Sequence, residues 1–197
     1  MSEPNTHDVI VTDYLVVGTG AAGMAFTDAL LTHGNASVTL VDRRHAPGGH
    51  WVDAYPFIHL HQPSAFYGVA SVPLGQGAVD RSGINAGFHE AAGADELRAY
   101  YARVMEQHFL PTGRVAHHPC SDHHTGSDGR HFITSRLTGT VHEVRVRRKW
   151  VDTGFLEGRI PATSPPMTGP ATNPIPNAAP INPNRLARSS GAEMSAI

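Results

Sequence analysis

An α/β domain built on a parallel sheet is the fold class this chain predicts, on three observations. Leu15, Val16 and Val17 form an apolar run that breaks abruptly into Gly18-Thr19-Gly20-Ala21-Ala22-Gly23. A stretch of helix-forming residues follows that turn. A second apolar run, residues 38–41, then closes on Asp42. Short uninterrupted apolar runs of this kind suit strands buried on both faces.

Taken in order, residues 1–12 are polar and are expected to form a flexible leader to a domain spanning 13–160. The helix is expected over residues 21–33, with Met24, Phe26, Ala29, Leu30 and Leu31 available to cover a sheet and Gly34-Asn35 as its stop. Each glycine of the turn meets a physical need. Gly18 permits a sharp change of direction, Gly20 keeps side-chain atoms off a pyrophosphate, and Gly23 lets helix and strand approach. The free amides from Ala21 and Ala22 onward, with the positive end of the helix dipole, then face the phosphates. Asp42, 24 positions after Gly18, is placed to accept hydrogen bonds from the ribose of an ADP moiety.

Beyond Asp42 the pattern loosens. Residues 43–51 read as a polar loop, 58–61 as a short strand, and 63–89, rich in Gly, Ser and Pro, as extended loop. A second helix is expected over 94–109, with Asp95 and Glu96 in its first turn and Pro111-Thr112-Gly113 as its end. Strands are expected at 114–118, 131–137, 141–146 and 149–151, the last three forming a small antiparallel excursion. Within 141–146, Val144 and Val146 share one face while Arg145 and Arg147 take the other, so the basic run 145–149 reads as a solvated strand face. Residues 161–197 are proline-rich, with few large apolar side chains, and are expected to be disordered.

Composition narrows the function classes. A formal charge of −2 argues against nucleic acid or an anionic membrane as partner. Cys120 is the single cysteine and cannot form an internal disulfide, and with a polar, acidic N-terminus this predicts a cytoplasmic protein. His117, His118, Cys120, His123 and His124 crowd together, but their spacing matches no closed zinc site and the segment reads as a surface loop, so no metal is expected. Ser64 and Ser71 lack a nucleophile-elbow context.

The Gly18 to Gly23 turn, Asp42, Arg43, Gly48-Gly49-His50-Trp51 and Tyr55-Pro56 together resemble the N-terminal, FAD-binding part of flavin-dependent monooxygenase-like oxidoreductases. That resemblance implies a Rossmann-like FAD/NAD(P)-binding domain. It also implies that Asp42 holds the ribose, that Arg43 lies near the adenosine end, and that Gly49, His50 and Trp51 pass close to the flavin. His61 and Gln62 would run beside the isoalloxazine ring, and the backbone at Val115 would reach the adenine. Lys149-Trp150-Val151-Asp152-Thr153-Gly154, with Pro161 beyond, is similar to the family's Ala-Thr-Gly return to the cofactor, with Asp152 in place of the alanine. No residue stands out as a catalytic acid or base; His50, Asp53 and His61 near the expected ring position read as structural or hydrogen-bonding groups.

Members of that family carry a second glycine-rich turn for NADPH. Here only Gly75-Gln76-Gly77 offers itself, without a third glycine, a strand before or a helix after. The chain is therefore expected to be a truncated product that binds FAD, with an unknown small-molecule substrate. The alternatives are a non-catalytic FAD-binding remnant and an NAD(P)-dependent dehydrogenase. The short-chain dehydrogenase form of the last lacks its Tyr-x-x-x-Lys, since Arg145 stands four before Lys149.

Overall fold

The computed structural model describes residues 8–153. The expected disorder of 161–197 and the positions Gly154 and Pro161 lie outside the described residues. Strands β1 (Val9–Val17), β2 (Val38–Val41), β3 (Val115–His118), β4 (Ser121–Thr125), β5 (His131–Ser135) and β6 (Val141–Asp152) form one sheet in the order β3-β2-β1-β6-β5-β4. β3, β2, β1 and β6 run parallel, whereas β4, β5 and β6 form an antiparallel meander. The α/β class with a mainly parallel sheet is as expected.

Helix α1 (Ala21–His33) crosses from β1 to β2, and α2 (Ala94–Val104) precedes β3, continuing as a wider turn over Met105–Phe109 and ending at Gly113 with φ +66°. Alternation along β1 divides the interior in two. Val16 joins Met24, Val38, Leu40, Leu97, Tyr100, Tyr101 and Val104 in a core associated with the helices. Leu15 joins Val41, Ile133 and Val144 in a smaller core shared with the meander. The face of α1 also buries two residues that are not apolar: Thr27, whose hydroxyl donates back to the Gly23 carbonyl, and Asp28, whose carboxylate accepts from the backbone and hydroxyl of Ser71.

Four expectations are corrected. β1 begins at Val9, inside the anticipated leader, because β6 is long enough to pair with Val9, Ile10, Val11 and Thr12. Residues 141–151 are one strand: the ladder to β1 shifts register between Thr12 and Tyr14 and resumes, so the charged residues 147–149 do not interrupt it. The histidine-rich segment at 121–125 is strand β4, not a surface loop. Residues 58–61 contribute only an isolated bridge, His59 to Gly93.

Candidate functional site

The site is assembled where β1 ends. Gly18 has φ +99°, a conformation that favours glycine, and its amide donates to the Val41 carbonyl at 2.8 Å. A Cβ on Gly23 would sit 2.0 Å from the Gly18 carbonyl oxygen, so α1 packs on the turn at a distance only glycine allows. Gly20 precedes the helix without a side-chain cap, and the first backbone bond of the helix runs from Met24 to Gly20 at 2.9 Å. Ala21 and Ala22 are exposed, and no acceptor among the described residues takes their amides. This is a helix N-terminus with free donors at a bare backbone turn, suited to anionic oxygens.

Asp42 follows β2 and is buried. One carboxylate oxygen accepts from the Thr19 amide at 2.6 Å and the Thr19 hydroxyl at 2.8 Å, and the other accepts from the Arg44 amide at 2.8 Å. Asp42 therefore fixes the second residue of the glycine turn, a duty that spacing did not reveal. From the far side, Thr153 closes the same turn: its amide reaches the Val17 carbonyl at 2.8 Å, and its hydroxyl lies 2.8 Å from the Val17 carbonyl and 3.1 Å from that of Gly18. Thr153 belongs to the Lys149 to Gly154 stretch that resembles the family's return to the cofactor, and Thr153 itself contacts the turn.

The other predicted site residues divide. Gly48, with φ +123°, donates its amide to the Thr19 carbonyl at 2.8 Å, which tethers Gly49, His50 and Trp51 beside the turn. Gly49 has φ +59°; His50 is exposed, whereas Trp51 is buried in the helix-associated core. Arg43 is exposed, and its carbonyl accepts from Arg136 at 3.4 Å. His61 and Gln62 are exposed on the loop after Leu60, and among the described residues no hydrogen bond ties them to the turn. Val115 is not brought to the site. It pairs with Val38 at the start of parallel β3, the end of the sheet away from Asp42. What β3 delivers beside Asp42 is its other end, where the Asp42 amide donates to the His118 carbonyl at 3.1 Å, and β4 adds the Ser121 amide, which donates to the Asp42 carbonyl at 2.8 Å.

The Gly75-Gln76-Gly77 turn is not open to a phosphate, because its Gln76 and Gly77 amides both donate to the Glu90 carboxylate. Ser64 and Ser71 are likewise spent on structure. The Ser64 hydroxyl donates to the Glu90 carbonyl and accepts from the Ala92 amide, and Ser71 binds Asp28. No helix among the described residues is long and apolar enough to cross a membrane.

Residues 16–68, which hold the turn, α1, β2 and Asp42, match the family model described as an NAD(P)-binding Rossmann-like domain. The fold here is Rossmann-like. It is 49% identical over 156 residues to an uncharacterized protein of Mycobacterium tuberculosis, a match covering 79% of this chain and 28% of that protein. The chain thus spans little more than a quarter of the length of the curated relatives it matches. Among solved structures, the fold is similar to a polycyclic ketone monooxygenase from Thermothelomyces thermophila (TM-score 0.54, 17% identity, 78% of this chain and 24% of that one). It is also similar to a bacillithiol disulfide reductase from Bacillus cereus (TM-score 0.55, 14% identity, 72% of this chain and 39% of that one). At those identities the likeness is one of fold.

Proposed function

We propose that this Rossmann-like domain binds FAD and serves as the flavin-holding part of a monooxygenase-like oxidoreductase. The observation that carries the reading is the turn itself, where free amides of α1 and a side-chain-free approach at Gly20 meet a buried acid at the tip of the next strand. The pyrophosphate would lie against Gly18, Gly20 and the amides of Ala21, Ala22 and Gly23. Asp42 would hold the ribose while anchoring Thr19, and Arg43 would flank the adenosine. Gly49, His50 and Trp51 would line the path toward the ring, with His61 and Gln62 farther along the same side.

Bound FAD would supply the redox chemistry, and the protein contributes placement and electrostatics. Reduction by NADPH calls for a second nucleotide site, and the Glu90-occupied turn at 75–77 does not supply one.

The test is to reconstitute the protein with FAD and titrate it by flavin fluorescence. Gly20→Val, whose branched side chain intrudes on the pyrophosphate path, is expected to abolish binding. Asp42→Ala is expected to weaken it by about 1.5–3 kcal/mol. Unchanged affinity in a folded Gly20→Val protein places the phosphates elsewhere. Bleaching of the bound flavin by NADPH would identify a working reductase, and binding without bleaching a non-catalytic flavin carrier.

A further inference from the structure

Strands β4 and β5 bring together side chains that lie apart in the chain. Their antiparallel register sets Thr125 opposite His131 and His123 opposite Ile133. Alternation along the strands then puts His123, Thr125 and His131 on one face of the ladder. There His123 Nε2 lies 3.2 Å from His131 Nδ1, and the Thr125 hydroxyl oxygen lies 3.2 Å from that same nitrogen. Both imidazoles are half-buried, and Trp150 flanks them with its ring centroid 5.4 Å from that of His123 and 5.3 Å from that of His131.

A hydrogen bond accounts for only part of this arrangement. A ring nitrogen of neutral imidazole carries either one proton or one lone pair, so Nδ1 of His131 fully serves one of its two neighbours. A divalent cation would draw on all three atoms at once. The spacing suits one: tetrahedral bonds of about 2.0–2.1 Å set neighbouring ligand atoms about 3.3 Å apart, and both contacts here are 3.2 Å. Burial lowers the pKa of both histidines, which keeps the rings in the unprotonated form that binds metal at neutral pH. The carboxylate of Asp152 favours positive charge at His123. Among the described residues no third histidine, cysteine or acidic side chain joins the set, so its remaining positions are open to water. Imidazole selects zinc and its neighbours in the first transition row, whereas calcium and magnesium take oxygen ligands.

We infer that His123, His131 and Thr125 form an open, water-completed site for a divalent cation of zinc's class, tying β4 to β5. The expectation of no metal rested on spacing along the chain and on a loop at this segment, and neither consideration applies across a two-strand ladder. The site makes no use of the glycine turn, so it stands or falls independently of the flavin reading.

The experiment titrates the full, chelator-washed chain with zinc chloride, and with calcium chloride in parallel, followed by calorimetry and by the histidine ring resonances in NMR spectra. One zinc per chain is expected, saturating below millimolar concentration, with the largest shifts at His123 and His131 and no response to calcium. His123→Phe and His131→Phe should each weaken zinc at least tenfold, and Thr125→Val, which spares both rings, at least threefold. His124→Gln, on the opposite face of β4 where the ring stacks on Phe132, should leave the affinity within twofold. Should the phenylalanine variants fail to fold, the wild-type resonances decide. Zinc that shifts other histidines and leaves those of His123 and His131 unmoved overturns the site. So does affinity undiminished in the phenylalanine variants, or the lack of saturation below millimolar concentration, and each leaves the two rings sharing a hydrogen bond only.

Discussion

Gly23 and Thr153 show how little slack a single position has at this turn. A methyl group on Gly23 would lie 2.0 Å from the backbone oxygen of Gly18 and 3.1 Å from the Thr153 hydroxyl, and the first of these atoms cannot swing aside as a side chain could. Gly23→Ala must therefore push α1 from the turn, at a cost of about 3 kcal/mol. Thr153→Val keeps the shape and removes only the hydroxyl's contacts with the Val17 and Gly18 carbonyls, so it should cost roughly 1 kcal/mol. Urea unfolding of both variants checks the ranking, and equal midpoints would mean that the turn is softer than its geometry implies. The residue scale is also where reading the chain as text fell short. Spacing located Asp42 but could not show that its oxygens also hold Thr19 and Arg44, and the tryptophan of the Gly48 to Trp51 loop is turned into the core, which no linear motif records.

At the level of elements, helix α2 acts as the anchor for the long loop before it. The Tyr100 hydroxyl accepts from the Val69 amide at 2.6 Å and donates to the Val72 carbonyl at 2.5 Å, while the Tyr101 hydroxyl donates to the Tyr67 carbonyl at 3.0 Å. Burial raises the pKa of both phenols, which keeps them protonated and able to donate. Tyr100→Phe leaves a buried amide and carbonyl unpaired and should destabilise by about 1–3 kcal/mol, with faster hydrogen exchange at Val69 than elsewhere in the fold. Protection at Val69 equal to wild type would refute the anchor. The helices and strands β2 and β3 were legible because their signals are local: the run at β2 is buried throughout, and α2 carries apolar residues at helical spacing behind an acidic first turn. β4 was not legible. Ser121-Asp122-His123-His124-Thr125 has no apolar alternation and is a strand only because β5 supplies a ladder partner for each residue. The resemblance implies that the backbone at Val115 reaches the adenine, but which end of β3 abuts Asp42 follows from the register, and that end is His118.

Across the whole molecule, the histidines set how stability responds to acid. The chain has 14, and burial is the leading cause that lowers the pKa of His117, His118, His123 and His131, with His123 brought from 6.5 to about 4. His123 Nε2 lies 3.2 Å from His131 Nδ1, and both rings pack near Trp150, so protonating either places a cation against its neighbour. His124 opposes that charge as well, while Asp152 favours it without reversing the balance. The sign follows directly. Below the ordinary imidazole pKa the unfolded chain takes up protons that the folded chain refuses, so stability falls as pH falls from about 6.5 toward 4. The carboxylates of Asp13 and Asp128, whose pKa values are lowered by hydrogen bonds to Ser37 and to Arg130, lose their contribution only below this window. His123 alone should account for about 1–2 kcal/mol between pH 7.5 and pH 5, after allowance for its partial exposure. Urea midpoints are therefore expected to drop over that interval at constant slope. In His123→Phe, which keeps an aromatic ring beside Trp150 and has nothing to titrate, the drop should be smaller by that amount. A midpoint that stays level from pH 7.5 to 5, or a drop that His123→Phe leaves intact, would show that acid sensitivity is not set by these buried rings.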